Sequence, residues 1–205
     1  MDFETRKYTI EFISELLGST PKDPEVYRSY IETKKPETQT EEEYLTVEKI
    51  EEKGWTGFHK DEGGLFIYDY VVRGFLKSAG EAVQLKTASI DKKTGEAGTK
   101  KLSAIKSKID KFVFVFPRRI YLNRQEPDGV IERSLRAMTM QGPRVTLARS
   151  DYIKEGLRIN FDVSLIKNPE ITWNVIDQLF SYSTFSGLGQ FRNGSYGRFN
   201  VIGWV

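Results

Sequence analysis

One stretch of the chain groups the residue types that can hold a polyanion. It reads Phe185-Ser186-Gly187-Leu188-Gly189-Gln190-Phe191-Arg192-Asn193-Gly194-Ser195-Tyr196-Gly197-Arg198-Phe199. Glycines let another backbone come close. The forked guanidiniums of Arg192 and Arg198 match phosphate geometry, and the rings of Phe191 and Tyr196 can stack on bases. The competing reading is a tight helix-to-strand connection whose aromatics belong to the core. A second candidate is His59, the only histidine, in the polar loop Trp55–Gly64. With Lys60 and Tyr68 it could supply the base, acid and cation of metal-independent RNA cleavage. A lone loop histidine more often has no chemical role, so His59 is a weak catalytic candidate. Asp61 and Asp69 lack a second acid at a telling spacing for a metal. The consecutive acids Glu41–Glu43 point in different directions on a helix. Phosphate-loop, nucleophile-elbow and zinc motifs are absent. No metal and no cofactor are therefore expected.

The elements that must position these residues follow from periodicity. Lys7 to Leu17 alternates, with Tyr8, Ile10, Phe12 and Leu16 on one face, as a half-buried strand does. Asp23-Pro24 and the capping box beginning at Thr40 start two short acidic helices. A longer helix is expected from about Tyr68 to Val83, with Val71, Val72, Phe75, Leu76 and Ala79 as its stripe. Lys86 to Lys101 has a single large aliphatic residue, Ile90, and reads as a mobile insertion or hairpin tip. A short helix over Ser103–Asp110 precedes Phe112–Phe116, an apolar run expected to be a central strand buried on both sides. Val130–Thr139 and Arg144–Ala148 are strands around the Gly142-Pro143 turn. Leu157 to Leu165 is the clearest amphipathic strand. Asn168-Pro169-Glu170 caps a helix carrying Ile171, Val175, Ile176, Leu179 and Phe180. The glycine-rich loop follows, and Phe199–Val205 is the last strand.

Composition bounds the class. The chain has 205 residues, 39% hydrophobic and 29% charged, enough for one domain with a real core. No apolar run approaches the roughly 20 residues that span a bilayer. Met1-Asp2-Phe3-Glu4 lacks the basic and apolar regions of a signal peptide. There is no cysteine, which excludes disulfides, thiolate nucleophiles and cysteine-held metals. A cytoplasmic protein without membrane contact is expected. The net charge of +2 hides an asymmetry. Lys100–Val205 holds 17 Lys and Arg against 9 Asp and Glu, whereas Met1–Thr99 holds 14 against 20. Either the C-terminal half builds a polyanion surface, or the acidic half neutralises it.

Stripped of insertions, the order is βαββαβ, the ferredoxin-like or RRM-like plan: an α+β fold with an antiparallel sheet and helices on one face. A single domain over residues 1–205 is expected, with a helical insertion at about 22–54 and the mobile one at about 86–101. The segment Gly187–Phe199 resembles the glycine-rich loop between the last helix and last strand of the RAMP superfamily of CRISPR-associated proteins. Phe66–Ala79, with Arg73-Gly74-Phe75-Leu76-Lys77 at its centre, resembles the small-residue, basic helix of RAMP backbone subunits. The likeness covers about half the chain. The two acidic helices after the first strand depart from that pattern.

The resemblance implies a subunit that binds single-stranded guide RNA within a ribonucleoprotein, alongside other subunits and polymerising along the RNA. Its implied RNA-binding residues are Arg73, Lys77, Arg118, Arg119, Arg133, Arg136, Gly187, Gly189, Phe191, Arg192, Gly194, Tyr196, Gly197 and Arg198. Alternatives remain a RAMP-type endoribonuclease using His59, a mobile-element mimic of a backbone subunit, and a phage structural or anti-defence factor that binds protein.

Overall fold

A computed structural model describes residues 2–22, 55–83, 85–90, 97–139 and 142–204. In chain order the strands and helices begin with β1 (Phe3–Phe12), β2 (Leu16–Leu17), β3 (Thr20–Pro21), β4 (Thr56–Gly57), β5 (His59–Asp61) and β6 (Gly64–Tyr68). Helix α1 (Asp69–Ala82), β7 (Lys86–Ile90), β8 (Ala97–Lys101), α2 (Ile105–Phe112), β9 (Val113–Phe116) and β10 (Arg119–Tyr121) follow. The chain continues through β11 (Gly129–Thr139), β12 (Gly142–Ile153), β13 (Arg158–Ile166), α3 (Trp173–Ser181) and β14 (Phe199–Trp204). The acidic insertion expected at about 22–54 lies, apart from Lys22 and the flank at Trp55, outside the described residues. No described helix is long and apolar enough to cross a membrane.

The central sheet runs β14–β1–β13–β9, all neighbours antiparallel. Counted along βαββαβ this is strand order 4-1-3-2, the ferredoxin-like arrangement, with α1 and α3 as its two helices. Alternation sets the faces. Ile159, Phe161, Val163 and Leu165 of β13 and Tyr8, Ile10 and Phe12 of β1 are buried. Phe180 of α3 sits 4.7 Å from the Tyr8 ring, and Phe75 of α1 sits 5.1 Å from Phe199. The opposite face is a ladder of polar pairs that satisfy each other. Thr5 meets Ser164 at 2.7 Å, Thr9 donates to Asn160 Oδ1 at 2.6 Å, and Arg158 pairs with Glu11 at 2.9 Å.

Two local expectations shift. The apolar run Phe112–Phe116 is an edge strand, not a central one. Val113 and Val115 face the helices, while Phe114 is half-buried and Phe116 is 50% exposed on the other face. Asn168 does cap backbone donors, accepting from the Glu170 and Ile171 amides at 3.0 and 2.6 Å. That closes a turn, and the helix starts only at Trp173. The lysine-rich stretch near residues 86–101 forms the antiparallel β7–β8 pair.

Outside the central sheet, β11 and β12 form a long antiparallel hairpin, and β12 also pairs with β2 and β4. A small sheet, β10–β6–β5, carries the start of α1. Phe199 locks the loop to this core: it is fully buried among Phe12, Phe75 and Phe180. Phe199→Ala should therefore cost about 3–5 kcal/mol of stability in urea unfolding. A loss near the roughly 1 kcal/mol of an average substitution would contradict this packing role.

Candidate nucleic-acid interface

The glycine-rich loop is folded onto the β1–β2 turn by its own backbone. Leu188 N–H donates to Gly197 O at 2.9 Å, Gly197 N–H to Glu15 O at 2.7 Å, and Ile13 N–H to Arg198 O at 2.8 Å. Ser14 Oγ accepts from the Arg198 amide at 2.9 Å. The two strands of the loop touch where neither can carry a side chain. A Cβ on Gly187 would lie 2.1 Å from Gly197 C, and one on Gly197 would lie 2.0 Å from Leu188 O. Gly197 also has φ +67, a conformation natural to glycine. Gly189 packs against Leu17, and Gly194 lies under the Phe191 ring. The glycines thus shape the loop.

What the loop presents is the other half of the pattern. Phe191 is 42% exposed, Tyr196 is half-buried, and their ring centroids are 5.9 Å apart. Beneath them lies Arg133 of β11, its guanidinium carbon 4.5 Å from the Phe191 centroid and 5.8 Å from that of Tyr196. Such cation–π contacts are worth about 0.5–2 kcal/mol. Arg133 donates to Ser150 Oγ at 2.7 Å, and its Nε is buried without a partner. Burial pulls this guanidinium below its ordinary pKa. Gln190 ties the loop to two more strands, since its Oε1 accepts from Thr56 at 2.6 Å and from Ser150 at 2.9 Å. Beside Ser150, the buried Asp151 carboxylate takes Lys22 Nζ and Trp55 Nε1, each at 2.9 Å to Oδ1.

The predicted cations divide into distinct groups. Arg192 and Arg198 project from the loop, and among the described residues no carboxylate pairs with either; Arg198 Nε donates to Ser195 O at 3.1 Å. Arg118 and Arg119 are each neutralised, Arg118 by Asp69 at 2.9 Å and Arg119 by Asp61 at 2.7 Å. Lys77 pairs with Asp110. Arg73 lies one turn before Lys77 on α1 and buries an unpartnered Nε. Arg136 pairs through its backbone with Val145 in the hairpin, and its side chain is outside the described residues. The structure therefore joins Arg133 to the loop, places Arg118 and Arg119 on the small sheet, and leaves Arg73 and Lys77 on α1.

His59 sits in an aromatic cluster. Its ring stacks on Phe66 at 5.4 Å and meets Tyr68 edge-on at 4.7 Å. Burial lowers its pKa, so the imidazole is neutral near pH 7. It has ring contacts and no hydrogen-bond partner among the described residues, the environment of an aromatic side chain more than of a general base. Asp61 and Asp69 are engaged as above. Burial pushes the Asp61 carboxyl up, but the Gly63 amide, Tyr121 hydroxyl and Arg119 together hold it below the usual range. Among the described residues no group of three or more His, Asp or Glu is placed to hold a metal.

Comparison with solved structures extends the fold assignment. The chain is similar to one in the cryo-EM structure of the Type III-B Cmr-beta bound to cognate target RNA, with TM-score 0.51 and 12% identity. The match covers 99% of this chain but only 60% of that one. A chain of a Type IV-B CRISPR complex is matched at TM-score 0.45 and 11% identity, over 98% of this chain and 90% of the other. No protein-family model matches the sequence, and no curated protein matches it. At 12% identity the first of these likenesses bears on the fold alone.

Sequence reading missed Gln190, Thr56 and Ser150, whose side chains fasten the loop to the hairpin, and Asp151, which holds Lys22 and Trp55 beside them. Their only signal was polar residues inside or beside strands, where burial demands partners. Gly74, part of the helix segment singled out above, lies inside α1 where an added Cβ would meet nothing within 4 Å. A mid-helix glycine costs about 1 kcal/mol, and no described contact requires it.

The His59 environment gives a pH test. The unfolded chain takes up a proton near pH ~6.5, while the buried imidazole resists protonation until lower pH. Its share of stability is present above that point and falls as pH drops through the window below it. His59→Phe, which keeps the stack, should flatten this part of the stability–pH curve. An NMR titration midpoint for His59 at or above the ordinary value would contradict the burial argument.

Proposed function

We propose that the protein is a non-catalytic, single-stranded RNA-binding subunit of the RAMP type, working in a CRISPR-type ribonucleoprotein or as a mobile-element mimic of one. The observation that carries this is the junction of loop and hairpin. There, among the described residues, no acid pairs with Arg192 or Arg198, which lie beside an exposed Phe191 that is backed by Arg133. Free guanidiniums attract phosphates, and an exposed ring supported from behind offers a flat face to an unpaired base. The likeness in fold to a chain of the Type III-B Cmr-beta bound to cognate target RNA is consistent with it.

Two further features support this reading. On the open face of the central sheet, where an RRM stacks bases on aromatics, the two middle strands carry a self-satisfied polar ladder, and the aromatics of that face stand at its margins, Phe114 and Phe116 on edge strand β9 and Phe3 at the start of β1. That shifts the RNA to the loop, the hairpin and the flank of α1, where Gly74 leaves the helix surface bare between Tyr70 and Lys77. Partner subunits, further copies along the RNA, a single-domain layout and a cytoplasmic site of action follow from the family resemblance. His59 is given no catalytic part, because it has neither proton-transfer partner nor free phosphate-binding cation beside it.

The test is a salt titration. Arg192→Ala combined with Arg198→Ala should weaken single-stranded RNA binding and reduce the slope of log K against log salt by about 1.4, near 0.7 per lost phosphate contact on a single strand. Unchanged affinity and slope in a folded double variant would overturn the proposal.

A further inference from the structure

Among the described residues the β7–β8 ribbon pairs with no third strand. Its sequence supplies almost no core: β7 reads Lys-Thr-Ala-Ser-Ile and β8 Ala-Gly-Thr-Lys-Lys. A two-stranded ribbon of this kind is marginal on its own in water. Only its base is anchored. Leu85 and Leu102 are buried, and the Leu102 amide donates to Leu85 O at 2.9 Å.

Just outside that anchor, charge works against the ribbon. The register sets Lys86 opposite Lys101 and Thr87 opposite Lys100. Residues directly opposite in an antiparallel pair leave the same face with Cβ atoms about 4.5–5.5 Å apart, and like charges there destabilise the pairing. Lys86 and Lys101 are both exposed, and among the described residues no carboxylate pairs with either. The flanking helices differ. Lys77 of α1 pairs with Asp110, and Lys106 and Lys108 of α2 pair with Glu81 and Glu170 at 2.7 and 3.0 Å. The acids of the two helices are thus engaged by helix lysines, and the ribbon pair is left as two like charges on an element with little packing of its own. An external polyanion would turn that repulsion into attraction. The ribbon strands hold no aromatic residue to read a base, so charge is what they offer.

We propose that the β7–β8 ribbon is a second RNA contact, at which Lys86 and Lys101 close on the phosphates of a single strand, and that binding stabilises the ribbon. This rests on the RNA-binding reading above and adds to it a separate set of cations. Lysine is a point charge on a flexible stem, so the contact contributes affinity and salt dependence without sequence preference.

Binding of a fluorescein-labelled single-stranded oligoribonucleotide over a series of salt concentrations tests this, together with amide hydrogen exchange of the ribbon strands. Lys86→Gln with Lys101→Gln should leave Tm unlowered and reduce the slope of log K against log salt by about 1.4, near 0.7 per lost contact. Lys101→Glu, which sets opposite charges across the ribbon, should slow exchange of its amides in the free protein and yet weaken RNA binding. A merely structural role for the lysines would move stability and leave binding alone. In the wild type, RNA should slow exchange in Lys86–Ile90 and Ala97–Lys101. If the glutamine pair keeps wild-type affinity and slope while Arg192→Ala with Arg198→Ala is weakened, the ribbon contact is wrong and the loop reading stands. A marked drop in Tm for the glutamine pair would show that the lysines support the fold, and the like-charge argument fails. If polyglutamate slows exchange in the ribbon and RNA does not, the occupant is an acidic protein segment and the assignment to RNA falls. If the wild type binds no RNA, both readings fall.

Discussion

The contact between Gly187 and Gly197 is the constraint on which the candidate surface depends. With a Cβ on either residue the two arms of the loop would collide. Without their closure Leu188 would lose its bond to Gly197 O, and Gly197 its bond to Glu15 O. Everything between the two glycines is then determined. The arms are pinned to the β1–β2 turn, so Gln190 reaches Thr56 and Ser150, and Phe191 drops onto Arg133. Phe199 leaves the loop already aimed at the core. One backbone contact thus couples the central sheet to the hairpin.

Charge is distributed to match. Among the described residues, the cations of the basic C-terminal half are matched unevenly. Acids from the N-terminal half meet Arg118, Arg119 and Arg158, at Asp69, Asp61 and Glu11 respectively. Asp151 is consumed by Lys22. Among the described residues none of these carboxylates pairs with Arg192 or Arg198. Arg192 and Arg198 on the loop are among the described cations without a carboxylate, whereas the matched Arg118 and Arg119 lie against rings. An unmatched guanidinium seeks phosphate, and a matched one serves as a plane.

Much of the fold was legible because burial imposes periodicity. Leu157 to Leu165 alternates without a break, and Tyr68 to Val83 keeps a helical stripe, so both elements could be placed from residue types alone. Phe112–Phe116 could not. A continuous apolar run is the signature of a strand buried on both faces, yet here valines face the helices and phenylalanines face outward at an edge. Such a run can also mean an exposed aromatic face. The loop was legible as a cluster of glycine, arginine and aromatic residues, but the separation of roles was not. That glycines shape while Arg192, Arg198 and Phe191 are presented depends on contacts more than a hundred residues away in sequence, at Ser14 and Thr56. Arg133 looked like one of several strand arginines; only the hairpin's position shows it beneath Phe191.

The central claim is that RNA meets this chain at the junction of loop and hairpin, and not on the open face of the central sheet. Photocrosslinking with 4-thiouridine-containing single-stranded RNA, followed by mass spectrometry of the labelled peptides, tests it most directly. Crosslinks are predicted in the segment holding Phe191 and Tyr196 and in the one holding Arg133. Crosslinks concentrated on Thr5, Lys7, Thr9, Asn160 and Ser164 would contradict the account.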